Sequence, residues 1–425
     1  MKGLKIAVIG SGSTYTPELV NGFLTRMDCL QADSFYMMDI HPEKNKVVSS
    51  LAERMLEAAG CGARLVVTDN LEEAVEGADY VLGQVRVGLL DARIKDEKIP
   101  MKYGMLGQET TGIGGFFKAL RTIPVMMNVA DTMERLAPNA WLINFSNPSG
   151  ILAQALLNHA NVNMMGLCNN PINMQRVAKT LLPEGTKAFD FDYVGINHLS
   201  WLTSVYADGV DMMPELLYNE ELRKVNGVRY EDDLLRAIGG IPCGYLNYYY
   251  LQSRTLRDLK TAEKTRGEVC KEIEKDLLEL YRDPALTVKP ALLDKRGGAM
   301  YSEAAVSLID SIENDKNDVH VVNTLNKGGF SFMDDDDAVE IKCRVGKKGP
   351  EPIRLEGFGN THIMGMMRAV KAYERLAVKA GLTGDRETAM AALLNHPLVG
   401  DYEVIAPMMD EMMEAHKEFL PQFFK

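Results

Sequence analysis

The sequence predicts an α/β protein: a doubly wound parallel sheet in the first part of the chain, followed by a mixed α+β unit. Three observations carry this. A short apolar run, Leu4 to Ile9, leads directly into the glycine turn Gly10-Ser11-Gly12-Ser13-Thr14 and then into a helix-like stretch. Strand-like and helix-like runs alternate from there to Leu167, the pattern that crossover connections turn into a parallel sheet. Past His198 the alternation fades into charged helical stretches and two late strands. We therefore divide the chain into a Rossmann-like domain, 1–165, and an α+β domain, 166–425.

In order, the first strand is apolar but for Lys5, as expected where helices cover both faces of a sheet. In the turn that follows, backbone N–H groups and the helix dipole would cradle a phosphate. Tyr15 stands where the third glycine of GxGxxG is expected, so the strand–turn–helix context, more than the two glycines, makes Gly10, Gly12, Ser13 and Thr14 candidate cofactor contacts. A helix is predicted from Pro17 to about Met27, then a strand from Ser34 to Met38. That strand ends at Asp39, 29 residues past Gly10, where an acidic side chain would meet an adenosine ribose. Helix Lys44 to Ala59, strand Ala63 to Thr68, short helix Leu71 to Glu76 and strand Asp79 to Val85 follow. Helix Thr122 to Leu136 then leads to strands at Ala140 to Phe145 and Asn163 to Leu167.

Between Val85 and Thr122 the sequence predicts a long polar loop at the carboxyl edge of the sheet, where open sheets place ligands. It carries Arg86, Arg93, Lys102, Gln108, Glu109, Thr110 and Thr111, and its five glycines from Gly104 to Gly115 suggest backbone held close to a ligand. Beyond His198, Tyr206 to Leu217 reads as a hairpin or loop and Tyr245 to Leu280 as one or two long charged helices. Tyr301 to Ile312 reads as a helix, His320 to Asn326 and Ala338 to Val345 as strands, and the chain from about Thr361 as helical. The acids Asp334 to Asp337 suit a solvated turn, and Met408, Met409, Met412 and Met413 suit core or a subunit interface.

Composition narrows the function classes. With 425 residues and 46% hydrophobic content, the chain can bury a core without staples. Its six cysteines lack CxxC spacing, which points to a reducing compartment rather than a disulfide framework. A net charge of −12 disfavours nucleic acid or anionic membrane as partner, so an anionic substrate needs local arginines. No apolar run approaches the roughly 18 residues of a membrane span, and the run before Gly10 is too short for a signal peptide. A cytoplasmic enzyme is expected.

The chemistry concentrates between Met165 and Trp201. Cys168 and His198 each follow an apolar run and each stand beside carboxamides, Asn169 and Asn170 in one case and Asn197 in the other. A thiolate and an imidazole suit a borderline first-row metal, and two protein ligands leave coordination positions open to water or substrate oxygens. The plainer reading is a small core cysteine and a hydrogen-bonded core histidine. For Tyr245 it is aromatic packing with Tyr248, Tyr249 and Tyr250.

Taken together, KIAVIGSGSTYTP (5–17), RIKDEKIPMKYGMLGQETTGIGG (93–115), INFSNPSG (143–150), GLCNNPIN (166–173), GINHLSW (195–201) and KRGGAMYSEAA (295–305) resemble the NAD- and metal-dependent glycoside hydrolase family 4. The resemblance spans nearly the whole chain and is strongest to the 6-phospho-β-glucosidase branch. It implies a second domain of the lactate dehydrogenase-like kind and a homo-oligomer, dimer or tetramer. It further implies that Cys168 and His198 hold Mn²⁺ or another divalent first-row metal, that Tyr245 is the catalytic base, and that Glu109 raises its basicity. Arg93 and Asn147 fall at substrate-binding positions. Arg266 resembles a phosphate-binding arginine, with Arg86 the second choice. Asn169 replaces the aspartate that the α-acting branch carries after the metal cysteine, and as a carboxamide it suits sugar hydroxyls.

The reaction implied departs from the usual two-carboxylate scheme. NAD⁺ takes a hydride from C3 of a phosphorylated sugar, a base removes the acidified C2 proton, the C1 substituent leaves, water adds, and the hydride returns. Two other functions share the nucleotide half of the chain. A 2-hydroxy acid dehydrogenase would want an Arg and His hydride-transfer pair and gives Cys168 no task; a non-catalytic NAD-sensing regulator leaves Cys168, His198 and Tyr245 all without one.

Overall fold

The computed structural model describes residues 3–219, 230–296 and 301–425, so the motif at 295–305 lies partly outside the described residues. Six parallel strands form the centre of the main sheet: β1 (Leu4–Ile9), β2 (Ala32–Met38), β3 (Arg64–Thr68), β4 (Tyr80–Gly83), β5 (Trp141–Asn144) and β6 (Asn163–Gly166). A smaller antiparallel sheet follows, made of β7 (Phe189–Ile196), β8 (Leu199–Ala207), β9 (Val210–Asp211) and β10 (Ile241–Pro242). The chain then returns to the main sheet with β11 (Asp318–Leu325), β12 (Ala338–Gly346) and β13 (Gly349–Pro352). The main sheet runs β13-β12-β11-β6-β5-β4-β1-β2-β3, and its strand order reverses between β1 and β4. Strand β11 joins β6 antiparallel, Asn323 opposite Gly166. The last three strands thus cover the edge that β6 would otherwise leave unpaired, and both parts of the chain build the main sheet.

Helices α1 (Thr16–Leu24), α2 (Pro42–Ala58), α3 (Leu71–Val75), α4 (Leu89–Lys102), α5 (Gly112–Leu136), α6 (Ser149–His159) and α7 (Asn170–Thr180) belong to the first part. The second part contributes α8 (Arg266–Tyr281), α9 (Tyr301–Glu313), α10 (Thr361–Thr383), α11 (Arg386–Asn395) and α12 (Tyr402–Ala415), with shorter turns between them. Helices α1, α2 and α9 pack as one group and α3, α5, α6 and α10 as another, covering the two faces of the sheet as doubly wound topology requires. The central strands explain why: Ile6, Val8, Val81 and Leu82 are all fully buried.

Four expectations need correcting. The loop predicted from 86 to 121 is mostly helical: α4 spans Leu89–Lys102 and α5 begins at Gly112. Helix α4 escaped notice because its buried positions include acids, Asp96 and Glu97, that find partners inside the protein. Arg121 reaches Asp96 at 2.5 Å, and Arg93 reaches Glu97 at 2.8 Å, so apolar periodicity is lost where charge satisfies charge. Of the five glycines there, Gly107, Gly114 and Gly115 are required first by close backbone packing, and of these three Gly107 alone also lines the large cavity described below. A Cβ on Gly107 would sit 1.8 Å from the Glu97 carbonyl oxygen, and one on Gly114 2.2 Å from that of Gln108.

The stretch 245–280 is broken into the short turns Gly244–Leu246 and Asn247–Tyr250, the helix Gln252–Thr261 and then α8. A capping box restarts the chain at Thr265, whose hydroxyl accepts from the Glu268 N–H while Glu268 accepts from the Thr265 N–H. The acids 334–337 are not merely solvated, since Arg375 pairs with Asp334, Asp336 and the buried Asp337. Of the two readings of the methionine stripe, the structure selects core: Met408, Met409, Met412 and Met413 are all buried within the chain.

Candidate active site

A cavity of about 1040 Å³ opens along the carboxyl ends of β1, β2, β4, β5 and β6, at the reversal of strand order where doubly wound sheets bind ligands. One end of it is built from the glycine turn. Gly10 has φ +87°, and a Cβ there would press on the Gln84 carbonyl at 3.0 Å. The Gly12 N–H donates to Asp39 Oδ2 at 2.9 Å, and a Cβ on Gly12 would lie 2.8 Å from the same oxygen. Only glycine leaves room for that carboxylate. The His41 N–H holds the other oxygen at 2.9 Å, so Asp39 is fixed at the end of β2 with lone pairs to spare. Gly10, Gly12, Ser13 and Asp39 line the cavity. Thr14 does not: it is fully buried, and its carbonyl accepts from the Tyr281 hydroxyl at 2.6 Å.

The opposite end is organised around Glu109. Gln108 turns its side-chain oxygen onto the N–H groups of Thr110 and Thr111, at 2.5 and 2.7 Å, and so fixes the turn that leads into α5. Glu109 is left pointing into a ring of cations. Arg93 and Lys118 each lie 2.8 Å from its oxygens, and Arg86 touches it directly. Burial works to raise the Glu109 pKa, but Arg86, Lys118 and Arg93 outweigh it and hold the carboxyl well below its usual range. Burial and the neighbouring Arg86 bring the Lys118 ammonium down to about 7. A carboxylate engaged this way is a weak proton acceptor.

Arg93, Asn147, Asn169 and Tyr245 also line the cavity, as do Arg86 and Arg266. Arg266 is exposed, and its guanidinium donates to the carbonyls of Lys295 and Arg296 at 2.9 and 3.1 Å. Tyr245 is packed face to face on His198, ring centroids 3.8 Å apart and planes 14° from parallel. Burial first, then Cys168, Tyr248 and Glu109, push its phenol above the usual range.

Cys168 and His198 stand just behind the cavity wall, each 3% exposed. Cys168 follows β6, and the Asn170 N–H donates to its sulfur at 3.5 Å. His198 occupies the two-residue turn between β7 and β8 at φ +65°, a backbone state that is uncommon outside glycine and frequent at functional sites. Its Nδ1 is buried with no hydrogen-bond partner, and burial holds the imidazole neutral with a pKa of about 3. A neutral imidazole with a free buried nitrogen and a buried thiol that accepts an N–H bond are donors of the kind that fits a first-row cation. Among the described residues no group of three or more His, Cys, Asp or Glu is placed to hold a metal, so these two residues would leave further coordination positions to exogenous oxygens.

Sequence reading missed what lies beneath this pair. Glu340, on β12, is fully buried. It accepts from the Tyr193 hydroxyl at 2.5 Å, from Asn197 at 3.2 Å and from Asn323 at 3.3 Å. Asn197 precedes His198, and its own oxygen accepts from the Gly150 N–H at 3.3 Å, so the turn carrying His198 is tied to β12 of the main sheet and to the first turn of α6. Burial raises the Glu340 carboxyl to about 7. Lys118 was missed as well, although a lone lysine inside the apolar run GGFFKAL was a readable signal.

The chain matches the model of the family 4 glycosyl hydrolases over residues 5–183 and that of the family's C-terminal domain over 193–399. It is 44% identical to a probable 6-phospho-beta-glucosidase of Bacillus subtilis (strain 168), covering 100% of this chain and 98% of that protein. The 6-phospho-beta glucosidase of Thermotoga maritima, solved with manganese, NAD⁺ and glucose-6-phosphate, superposes with a TM-score of 0.90 at 36% identity, covering 98% of this chain and 99% of that one. Malate dehydrogenase from Plasmodium falciparum, solved with NADH, shares the fold alone, with a TM-score of 0.52 at 10% identity over 89% of this chain and 99% of that one. With a two-part match of this extent, carried by a cavity at the sheet's reversal point, the chain belongs to the family 4 glycosyl hydrolases.

Proposed function

We propose that this glycosidase hydrolyses 6-phospho-β-glucosides, such as cellobiose 6-phosphate, with NAD⁺ and a divalent cation, Mn²⁺ or another first-row metal, as cofactors. The relatives' activity and the ligands of the Thermotoga structure support the reading. The observation that carries it is a concentration of unsatisfied polar atoms. Ser146 Oγ, Asn147 Oδ1, Asn170 Nδ2, Asn247 Oδ1 and Arg296 Nε are buried without partners, and all five residues line the same cavity. Buried polar groups are normally paired, so this density marks a place where a polyhydroxylated, charged ligand supplies the missing bonds.

In this reading the substrate is oxidised at C3, deprotonated at C2, stripped of its C1 aglycone, hydrated and reduced back. When bound, the nicotinamide supplies a reversible acceptor for the C3 hydride, and the divalent cation supplies Lewis acidity toward the C2 and C3 oxygens. Cys168 and His198 hold the cation. Gly10, Gly12 and Ser13 meet the dinucleotide phosphates and Asp39 its ribose, with Thr14 bracing the turn from behind. Tyr245 takes the C2 proton; its buried phenol needs a nearby positive charge to act near neutral pH. Glu109, fixed as a carboxylate, serves by holding Arg86, Arg93 and Lys118 in register. Arg93, Asn147 and Asn169 orient the sugar hydroxyls, and Arg266 stands at the phosphate end.

We also propose a division of labour at 165/166, a cytoplasmic location and a dimer or tetramer, the last tested by light scattering. No helix among the described residues is long and apolar enough to cross a membrane. The deciding experiment is turnover of an aryl 6-phospho-β-glucoside in heavy water with NAD⁺, Mn²⁺ and a reductant. Deuterium at C2 of the released sugar is expected. Aglycone release with C2 unlabelled would exclude the elimination route, and stoichiometric NADH without hydrolysis would favour a dehydrogenase.

A further inference from the structure

We infer that Arg296, with Arg86 lining the same cavity, grips a ligand phosphate there, and that Arg266 acts mainly by bracing Arg296. The identity of the phosphate rests on the proposed function. Arg296 ends the short helix Leu293–Arg296 and lines the cavity with its side chain only 14% exposed. Its Nε is buried without a partner. The nearest anion, Glu274, lies 3.6 Å away and is already engaged by Lys44 at 2.7 Å. Arg86 lines the same cavity and is paired with Glu109, which it shares with Arg93 and Lys118. The wall therefore holds more guanidinium donors than acceptors. A phosphate, with several anionic oxygens, satisfies two forked guanidinium groups at once.

Arg266 is differently placed. It donates to the backbone carbonyls on either side of the Lys295–Arg296 bond, so it fixes the segment that presents Arg296. That segment connects toward both ends of the cavity, so two phosphates are candidates. Cys270 links the Arg296 carbonyl to Arg93 at the sugar end, through contacts of 3.9 and 3.7 Å. In the other direction, α8 reaches the glycine turn through Tyr281 and Thr14. The source is thus the sugar 6-phosphate or the dinucleotide pyrophosphate, and the two are separable by experiment.

The test measures binding of glucose 6-phosphate, glucose, inorganic phosphate and NAD⁺ to the Mn²⁺-loaded wild type and to R296M and R296K, by calorimetry and thermal shift. A charge-assisted grip predicts a loss of roughly 10- to 150-fold in R296M. If the loss falls on glucose 6-phosphate and inorganic phosphate while NAD⁺ affinity is unchanged, the sugar phosphate is the source; the reverse assigns the dinucleotide. R296K keeps the charge opposite Glu274 but not the fork, so it should fold like wild type and still bind the same phosphate several-fold more weakly. Affinities within twofold of wild type in R296K, or a loss in R296M shared equally by glucose and both phosphates together with a lower melting temperature, would overturn the inference. If wild type binds glucose 6-phosphate no better than glucose, the 6-phosphoglucoside reading fails, while the NAD⁺ arm still decides the role of Arg296.

Discussion

Replacing Glu340 by glutamine removes one buried charge and keeps the shape of the side chain. The wild-type carboxyl is raised from 4.5 to about 7 because burial disfavours its ionised form more than its bonds to Tyr193, Asn197 and Asn323 favour it. Moving a carboxyl by that much corresponds to about 3 kcal/mol. The sign follows from proton counting. Below about pH 4.5 folded and unfolded chains both keep the proton. Between 4.5 and about 7 the unfolded chain releases it and the folded chain does not, so stability falls as pH rises through that window. Glutamine carries no such dependence. Metal-free E340Q should therefore track wild type near pH 4.5 and become the more stable protein by about 3 kcal/mol at pH 8. Thermal and urea unfolding of the chelated proteins at matched ionic strength, from pH 5 to 8, measures the difference. Two curves that stay parallel across the window would refute the account of Glu340 as a group forced to ionise inside the protein.

The remaining predictions concern the cavity. Y245F keeps the stack on His198 and loses only the hydroxyl, so kcat should fall by about 10²- to 10⁴-fold with little change in melting temperature; a fall of less than tenfold would remove Tyr245 as the base. C168S should abolish Mn²⁺-dependent turnover and leave NAD⁺ affinity within about twofold, the uncertainty of a site that adds no contact, whereas equal loss of both marks a structural cysteine. E109Q leaves Arg86, Arg93 and Lys118 without their shared counter-charge and should destabilise the protein by about 3 kcal/mol, read as a lower urea midpoint; an unchanged midpoint would show that solvent already compensates those cations. G12A places a Cβ 2.8 Å from Asp39 Oδ2 and should weaken NAD⁺ binding, measured in the same titrations; an unchanged affinity would remove the turn as a cofactor contact.

Local pattern revealed those parts of the molecule that local physics decides. Strand β1, the glycine turn and α1 were legible because an apolar run, two glycines and Pro17 each constrain their own backbone. Cys168 and His198 were legible as strand-end residues for the same reason. Helix α4 was not, because Asp96 is satisfied by Arg121, 25 residues away, and no window that short contains both. Strand β12 was found, but Glu340 within it reads as a solvent-facing acid; its partners Tyr193 and Asn197 lie 147 and 143 residues earlier. Charge and hydrogen bonding over such separations leave no periodicity to read. Arg266 was singled out through the family motif, and only the geometry of its guanidinium showed it turned toward the backbone of Lys295 and Arg296.

Helix α8 hands its last side chain, Tyr281, to the carbonyl of Thr14, and one of its middle residues, Glu274, to Lys44 at the start of α2. The late part of the chain is thereby latched onto the glycine turn, the proposed seat of the dinucleotide. A chimera that exchanged everything beyond residue 165 with a distant relative would also exchange the clasp over the cofactor, and would inherit a change in nucleotide affinity along with any new sugar preference. Substrate range in this enzyme is thus hard to engineer without carrying Tyr281 and Glu274 along unchanged.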